Sequence, residues 1–407
     1  MANNRYFASG GPERYLFFVE RALRDAGHEV LPFALAYERN RETPAARFFP
    51  PPPVDGDFVL HADRSLSLRE KIRLAIRVVR DRRVYRAARR AILENDIEVV
   101  YALQIAHYLY PDVLLAARDL GVPVVMRLSD YQLVCPAYNC LRDGQPCLAC
   151  REGRGPALVH RCLKNSFSVS AARVLAMTYA DLVGAHRGVQ RYITPSRYLA
   201  ETLVSCGFPA HEIVHLPTPL PLPEDPGPPP LEGPLLFVGG LYEAKGAHLA
   251  VEAVAGTGRK LLIAGDADTP YGRELQADVA RRKISEVEFV GFAQGDVLSD
   301  LYRRALAVLV PSLWWENVPH VALEAHAHRR PVIAAGHGSL PEVVEPDVTG
   351  LLFAPGDADS LRREIEILAR SGMADRMGVA GRRRVAERHA PDEHVSRLEF
   401  ILRETLA

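Results

Sequence analysis

The sequence predicts an α/β protein whose two doubly wound, Rossmann-like domains face each other across a cleft. Short apolar runs, such as residues 305–310 and 331–335, alternate with helical patterns, which is typical of parallel strands joined by crossover helices. A chain of 407 residues is long enough for two domains with full cores. Proline dominates residues 216–234 and the periodic apolar pattern stops there, so we predict a stiff linker between a first domain (1–215) and a second domain (235–390).

The composition is that of an ordinary soluble protein, with 48% hydrophobic and 25% charged residues. The 50 basic and 50 acidic side chains give a formal net charge of zero, so no overall field attracts nucleic acid. No apolar run approaches the roughly 20 residues that span a bilayer, and the N-terminus lacks the apolar core of a secretory signal. We therefore expect a cytoplasmic protein without a nucleic-acid partner.

The first domain opens weakly, because residues 1–7 give barely one strand. Gly10 and Gly11 then precede a helix with apolar residues on one face. Two glycines before a helix start allow a ligand to approach the backbone closely, although glycines in this position also simply make turns. A strand over residues 29–36 is expected next.

The segment Arg69–Arg90 is predicted to be one basic amphipathic helix. It holds ten Arg or Lys residues and two acids, hence a net charge of +8. Helices of this kind often lie on anionic membrane surfaces. A solvated face over a packed apolar stripe explains the pattern equally well. Peripheral contact with the inner face of a membrane is one expectation, and a solvated helix is the other.

Five of the six cysteines fall between residues 135 and 162. Cys147 and Cys150 form a Cys-x2-Cys pair, which is half of a zinc site, and two further thiolates from this cluster would complete a tetrahedral four-thiolate site. Four thiolates leave no open coordination position, so such a zinc would be structural, and no catalytic metal is expected. A disulfide or inert buried thiols are the alternatives.

In the second domain, a strand that starts at Leu235 leads through Gly240 to Lys245, which precedes a helix. A lysine at a helix entrance can reach a diphosphate as a point charge, whereas most lysines in such positions are merely solvated. Phe292 follows a later strand; it is placed to stack on a nucleotide base, or it is an ordinary core phenylalanine.

Residues 311–324 carry the strongest functional signal. A loop with Glu316 and Asn317 follows an apolar strand, and Pro319 occupies the first turn of a helix that runs to about residue 329. Strand, loop and helix N-terminus are how an open α/β sheet binds an anionic ligand at its carboxyl edge. Glu316 and Glu324 frame this helix start; two exposed carboxylates near a helix N-terminus are the plainer alternative.

These motifs resemble the donor-binding half of the retaining family 4 glycosyltransferases (glycosyl transferases group 1), which have the GT-B fold. The motifs are Pro-Ser-x-x-x-Glu ending at Glu316, Glu324 after seven residues, Pro-Val-Ile-Ala, Gly-Ser-Leu-Pro-Glu and Thr-Gly-Leu-Leu-Phe, and they arrive in the order of the family. The resemblance covers most of the chain and is strongest over residues 235–360. One subgroup with a similar cysteine-rich insertion matches Cys135, Cys147, Cys150 and Cys162, which leaves Cys140 as an alternative ligand.

The resemblance implies transfer of a sugar, with retention of configuration, from a nucleotide diphosphate-sugar to a glycan, glycolipid or small-molecule acceptor. The second domain would hold the donor, the first would hold the acceptor, and the last helix (391–407) would cross back to the first domain. The resemblance assigns Glu316 to the donor sugar and Glu324 to the ribose hydroxyls. The other donor-binding candidates are Gly10, Gly11, Gly240, Lys245, Phe292, Asn317, Val318, His320 and Val321.

The chain departs from the family pattern at two positions. Gly240 stands where relatives have an arginine that contacts phosphate, and Ser129 precedes Asp130 where many relatives have a histidine. His107 is a candidate substitute for that histidine, so Glu316, Asp130, Ser129 and His107 are the catalytic candidates. A nucleotide-sugar epimerase of the same fold and a non-catalytic sugar-nucleotide-binding paralogue stay open. Donor binding without turnover would indicate the paralogue.

Overall fold

The computed structural model describes residues 1–8, 10–53, 67–106, 108–369 and 372–406, and contains two parallel sheets surrounded by helices. The helices and strands before residue 216 are α1 (Gly11–Asp25), α2 (Leu68–Val79), α3 (Arg82–Glu94), β1 (Val100–Ala102), α4 (Asp112–Asp119), β2 (Val124–Arg127), β3 (Leu141–Arg142), β4 (Gln145–Pro146), α5 (Gly155–Val159), α6 (Phe167–Leu182), β5 (Val189–Thr194), α7 (Arg197–Ser205) and β6 (Ile213–His215). Those after it are β7 (Leu235–Val238), α8 (Ala247–Val254), β8 (Leu261–Ala264), α9 (Pro270–Arg282), β9 (Val287–Gly291), α10 (Gly295–Arg304), β10 (Ala307–Val310), α11 (His320–Ala327), β11 (Val332–Ala335), α12 (Leu340–Val343), β12 (Gly350–Phe353), α13 (Ala358–Leu368), α14 (Met373–Arg388) and α15 (Pro391–Leu406). The predicted α/β class is confirmed.

The first sheet has the strand order β1-β2-β5-β6, and all its strands are parallel. Isolated parallel bridges from Ala2 to Phe33 and Ala102 continue it on the β1 side. The predicted strand over residues 29–36 is therefore reduced to a single bridge. Pro32 stands in the middle of that run and has no N–H to give to a ladder, which explains the loss.

The second sheet has the order β12-β11-β10-β7-β8-β9 and is also parallel throughout. Strand β7 pairs with β8 on one side and with β10 on the other. The strand order reverses at this point, and in doubly wound sheets ligands bind at the carboxyl ends of the two strands beside such a reversal. The loops after β7 and β10 carry Lys245 and Glu316, so the fold brings these two residues together.

The central strands of the second sheet are buried because helices cover both faces, whereas the edge strand β9 is only partly buried. All four residues of β10 and all four of β11 are buried, as expected of a parallel sheet with two covered faces. Helix α15 follows the second unit (β7 to α14) in the chain but packs on the first unit (α1 to β6). Its His394 ring contacts the Tyr15 hydroxyl at 2.9 Å, and Leu398 and Ile401 are buried with the first unit's apolar side chains.

The prediction of a single helix over Arg69–Arg90 is wrong, because the chain breaks between α2 and α3. Arg80 is extended, and the Asp81 carboxylate accepts a hydrogen bond from the Arg83 N–H as the N-cap of α3. The buried Asp112 carboxylate accepts the Asp81 N–H at 2.7 Å and pairs with Arg80 at 2.7 Å. Several of the segment's charges are thus engaged inside the fold rather than displayed to solvent.

Candidate active site between the two sheets

Lys245 and Glu316 form an ion pair at the reversal of the second sheet. The Lys245 Nζ donates to Glu316 Oε1 at 2.6 Å, and the Ser312 hydroxyl donates to the same oxygen at 2.6 Å. The Lys245 ammonium also lies 5.1 Å from the centre of the Trp314 ring, within cation–π range. Gly246 permits this turn, since its φ is +70° and an added Cβ would lie 1.9 Å from the Pro311 oxygen.

The charges of this pair stabilise each other against burial. Burial raises the pKa of the Glu316 carboxyl, but the Lys245 ammonium and the hydrogen bonds that the carboxylate accepts together outweigh it, so the net effect lowers the pKa of Glu316. For Lys245, burial works in the opposite sense, and Glu316 again outweighs it, so the pKa of the lysine is raised. Both groups are therefore charged at neutral pH.

The loop from Glu316 to α11 is held under strain and anchored to the first unit. Val318 has φ +139°, a region that β-branched residues rarely adopt. The Asn317 side chain accepts a hydrogen bond from the Ser196 hydroxyl at 2.8 Å and donates to the Leu128 carbonyl at 3.2 Å. Asn317, predicted to bind donor, therefore connects the two units in this structure.

The N-terminus of α11 faces the glycine loop of the first unit. A Cβ built on Gly11 would lie 3.4 Å from Cδ2 of His320, the first residue of α11, whereas one on Gly10 would approach only Glu13 and Pro12 of its own helix. Burial lowers the pKa of His320 to about 4, with the neighbouring Arg127 and Arg14 acting in the same direction. The His320 ring is therefore neutral at pH 7. The Gly-Gly loop therefore packs directly against the first residue of α11.

A cavity of about 650 Å³ adjoins Glu324, within the size range of small-molecule sites. Its lining includes Arg14, Gln294, Tyr302, Glu324 and His328. Glu324 accepts a hydrogen bond from the Tyr302 hydroxyl at 2.8 Å and lies 3.5 Å from an Arg14 nitrogen. Burial raises the pKa of the Glu324 carboxyl, and the Tyr302 hydroxyl and Arg14 partly offset this effect.

Sequence reasoning missed Tyr302, His328 and Arg14 as site residues. The rings of Tyr302 and His328 are stacked, with centroids 4.9 Å apart, and His328 hydrogen-bonds through Nδ1 to the Glu324 carbonyl at 2.8 Å. Tyr302 lies on the buried face of the amphipathic helix α10, so its sequence position predicts an ordinary core residue. His328 is four residues after Glu324, and that i,i+4 spacing was the available signal.

Asp130 lies after β2, in a polar cluster at the carboxyl edge of the first sheet. It accepts hydrogen bonds from the Gln104 amide at 2.9 Å and the Gln132 N–H at 2.9 Å. Burial raises the pKa of Asp130, and the Gln104 hydrogen bond partly offsets this. The neighbouring Ser129 hydroxyl accepts a hydrogen bond from Arg127 at 3.0 Å. His107, the proposed substitute for the missing histidine, lies outside the described residues.

Three donor-binding candidates are less closely tied to this geometry. Phe292 is 72% exposed and does not line the cavity. Val321 is half-buried in the first turn of α11. A Cβ at Gly240 would lie 2.6 Å from the Tyr242 ring, so Tyr242 occupies the space that a larger residue at this position would need. The roles of these residues stay predictions.

The cysteine cluster does not form a metal site in this structure. All six cysteines are free thiols, and no group of three or more His, Cys, Asp or Glu side chains in the described ranges could hold a metal ion. The pKa of the Cys135 thiol is lowered to about 6, chiefly by a hydrogen bond from Cys140. The Cys147 sulfur accepts the Ala149 N–H at 3.5 Å. Burial raises the pKa of the Cys150 thiol to about 11, so the lowered pKa of Cys135 is not shared by that thiol.

Comparisons with known proteins agree with this geometry. Residues 224–384 match the family model described as Glycosyl transferases group 1. An uncharacterised glycosyltransferase of Methanocaldococcus jannaschii is 36% identical over 132 residues, 31% of this chain and 33% of that protein. The D-inositol 3-phosphate glycosyltransferase of Frankia alni is 36% identical over 146 residues, 32% of this chain and 36% of that protein. The chain thus matches these curated relatives over about a third of their length.

Solved structures resemble nearly the whole chain. The sucrose-phosphate synthase of Thermosynechococcus elongatus superposes with a TM-score of 0.69 at 19% identity, covering 99% of this chain and 95% of that one. The Anabaena protein HepE in complex with UDP-glucose has a TM-score of 0.65 at 16% identity, covering 99% and 98%. Such identities establish the fold, and these neighbours are GT-B glycosyltransferases. Residues 224–384 therefore resemble the glycosyl transferases group 1 family, in a chain that has the GT-B fold.

Proposed function

We propose that this chain is a retaining glycosyltransferase of the hexosyltransferase type, which moves a sugar from a nucleotide diphosphate-sugar to a glycan, glycolipid or small-molecule acceptor. The observation that carries the proposal is the Lys245–Glu316 pair at the sheet reversal, beside the N-terminus of α11. HepE has been solved with UDP and with UDP-glucose, which supports a nucleoside diphosphate-sugar as the donor class here.

The chemistry explains why this pair is needed. Breaking the bond between sugar and phosphate builds positive charge on the sugar and negative charge on the leaving diphosphate, so the site must present cations and N–H donors to the phosphates. Lys245 supplies a cation, and the free N–H groups of the first turn of α11 supply donors. Glu316 holds the lysine in place and is assigned to the sugar hydroxyls. Pro319 offers no N–H, so its neighbours must provide those contacts.

The first domain completes the site in this proposal. Asp130 and Ser129 follow β2 at the carboxyl edge of the first sheet, on the side where Asn317 reaches the Leu128 carbonyl. They are therefore proposed to face the donor sugar and the acceptor hydroxyl, with His107 as a further candidate. Burial raises the pKa of Asp130, which favours a role in which this carboxylate accepts or shares a proton.

Glu324→Ala is expected to weaken nucleotide binding by about 10- to 100-fold, since a carboxylate that accepts two ribose hydroxyls contributes charge-assisted hydrogen bonds. The measurement is calorimetric titration with a panel of nucleoside diphosphates and nucleotide-sugars, with each sugar checked for slow hydrolysis. Glu274→Ala removes an exposed glutamate on α9 and serves as the matched control. Equal affinities for wild type and Glu324→Ala would remove the assigned role, and binding without hydrolysis or transfer would favour the non-catalytic paralogue.

We further propose that the cysteine cluster binds structural zinc through Cys135, Cys147, Cys150 and Cys162, with Cys140 as the alternative ligand. The concentration of five thiols in one short segment supports this, although they must move together before a tetrahedral site forms. Metal analysis of protein purified without chelators is expected to find about one zinc per chain. Metal-free protein in which every thiol reacts freely would refute it.

Contact with an anionic membrane surface through α2 is also part of the proposal. Ile72 and Ile76 lie one turn apart on this basic helix and are 53% and 62% exposed. In the described residues, no helix is long and apolar enough to cross a bilayer, so only surface contact is considered. Ile76→Ser is expected to reduce binding to vesicles rich in anionic lipid by about 3- to 10-fold. The control is Val379→Ser, an exposed valine on α14; equal binding by both variants would end this proposal.

A further inference from the structure

Among the residues that the structure describes, the buried Arg127 guanidinium has no carboxylate partner. Its side chain ends β2 with 4% of its surface exposed, and the two terminal nitrogens donate to neutral hydroxyls, those of Ser129 at 3.0 Å and Thr218 at 2.8 Å. Its Nε has no hydrogen-bond partner in the described part of the chain. A buried charge is costly unless it is paired, so this arrangement calls for a compensating anion.

Two other buried arginines, Arg77 and Arg330, are neutralised or fully hydrogen-bonded. Arg77 pairs with Asp81 and donates to two carbonyls, and the nitrogens of Arg330 donate to four carbonyl oxygens. Arg173 also has unpartnered nitrogens, but its neighbours Gln132 and Tyr110 both belong to the first unit. Arg127 therefore combines an open hydrogen-bonding capacity with a place between the units.

Arg127 lies near the contact between the glycine loop of the first unit and the N-terminus of α11. Its guanidinium lies 3.8 Å from the centre of the Tyr15 ring, and Tyr15 is one helical turn after Gly11, which abuts His320 at the start of α11. Thr218 belongs to the segment that connects the two units. Because His320 is neutral at pH 7 and Lys245 is already paired with Glu316, the charge of Arg127 adds to the positive end of α11 without a fixed counter-charge.

We infer that Arg127 binds an oxyanion held between the two domains, a phosphate or carboxylate group of a bound substrate. Two sources share this chemistry: the diphosphate of the donor, and an anionic group on the acceptor. The inference deepens the proposed function and rests on it for the identity of the two substrates. The binding of an oxyanion by Arg127 can be tested without either of them.

The test compares wild type with Arg127→Met, which keeps the length of the side chain, and with Thr218→Val, which removes an anchoring hydrogen bond but keeps the guanidinium. Thermal unfolding is recorded without ligand and with inorganic pyrophosphate, UDP or GDP. It is also recorded with inorganic phosphate added to protein that is already saturated with nucleotide. Arg127→Met is expected to unfold at the same or a higher temperature without ligand, because an unpaired buried charge has been removed. It should bind the anion about 10- to 100-fold more weakly, whereas Thr218→Val keeps most of the affinity.

The outcomes distinguish the two sources of the oxyanion, and they distinguish failure of the inference from failure of the proposed function. Loss of pyrophosphate and nucleoside diphosphate binding in Arg127→Met assigns the oxyanion to the donor. Unchanged nucleotide binding with loss of the added phosphate assigns it to the acceptor. Anion affinities equal to wild type in Arg127→Met overturn the inference, as does an equal loss in Thr218→Val, which would show an anchoring role. Should Arg127→Met fail to fold, Arg127→Gln replaces it. Wild type that binds no nucleotide at all refutes the proposed function, while Arg127-dependent phosphate binding would still stand.

Discussion

Glu316→Gln is expected to lower kcat by about 10²- to 10³-fold, the range found when one preorganised group that stabilises a developing charge is removed. The neutral amide keeps the shape of the side chain but leaves the Lys245 ammonium without its counter-ion at 2.6 Å. The lysine then loses both its position and its stabilisation in a buried site. The measurement is steady-state transfer with the donor identified by titration, reported as kcat and KM separately, since loss of transition-state contacts lowers kcat more than it raises KM.

Two controls make this result specific. Glu243→Gln changes an exposed glutamate two residues before Lys245 and should leave kcat within about 2-fold of wild type. The double variant with Lys245→Met should cost less than the sum of the single changes, because the two residues act as one unit. Strict additivity, or full activity in Glu316→Gln, would contradict the assigned coupling.

The same pair makes stability depend on pH at both extremes. The pKa of Glu316 is lowered in the folded protein, so its contribution is present above the unfolded-state pKa near 4.5 and is lost as pH falls through the folded-state value. The pKa of Lys245 is raised above its usual 10.5, so its contribution is complete below that value and is lost as pH rises through the folded-state pKa. Chemical denaturation of wild type and Glu316→Gln should therefore converge at acid pH.

The periodicity of apolar residues was sufficient to predict most strands and helices of the second sheet, because buried parallel strands are short, continuous and bounded by turns. The prediction failed where a single residue decided the outcome: Pro32 reduced a strand to a bridge, and Asp81 began a new helix inside a basic segment. Proline and N-cap residues act locally, so they override a pattern averaged over many residues.

The site was predictable only where one short stretch carried it. Glu316, Glu324 and Lys245 follow strands that the sequence marks clearly, and the structure brings Lys245 and Glu316 into contact. By contrast, the Arg14 partner of Glu324 and the contacts of Asn317 depend on how the two units meet; Arg14 and Glu324 are 310 positions apart in the sequence. No periodic signal reports such long-range contacts, and thus Arg14 and Arg127 became visible only in three dimensions.

Glu342→Ala is expected to weaken the contact between the two units by about 1–2 kcal/mol, the usual cost of losing a helix cap. The Glu342 carboxylate belongs to the second unit, yet it accepts the N–H groups of Arg197 at 2.8 Å and Tyr198 at 2.6 Å, at the first turn of α7 in the first unit. The Glu342 carboxylate thereby connects the two units. It accepts two charge-assisted hydrogen bonds, and its negative charge lies at the positive end of the α7 dipole.

Small-angle scattering tests this directly. Removal of the Glu342 bridge should raise the radius of gyration of the ligand-free protein, and addition of the donor nucleotide should lower it again. Glu345→Ala is the matched control, because Glu345 lies three residues away and pairs with Arg384 within the same unit. The neighbouring bridge from Asn317 to Ser196 would remain in Glu342→Ala, so a double variant with Asn317→Ala should open further than either single change. If the radius of gyration of Glu342→Ala equals that of Glu345→Ala, the α7 cap does not hold the units together, and closure depends on the Asn317 contacts and on the helix α15 that packs across from one unit to the other.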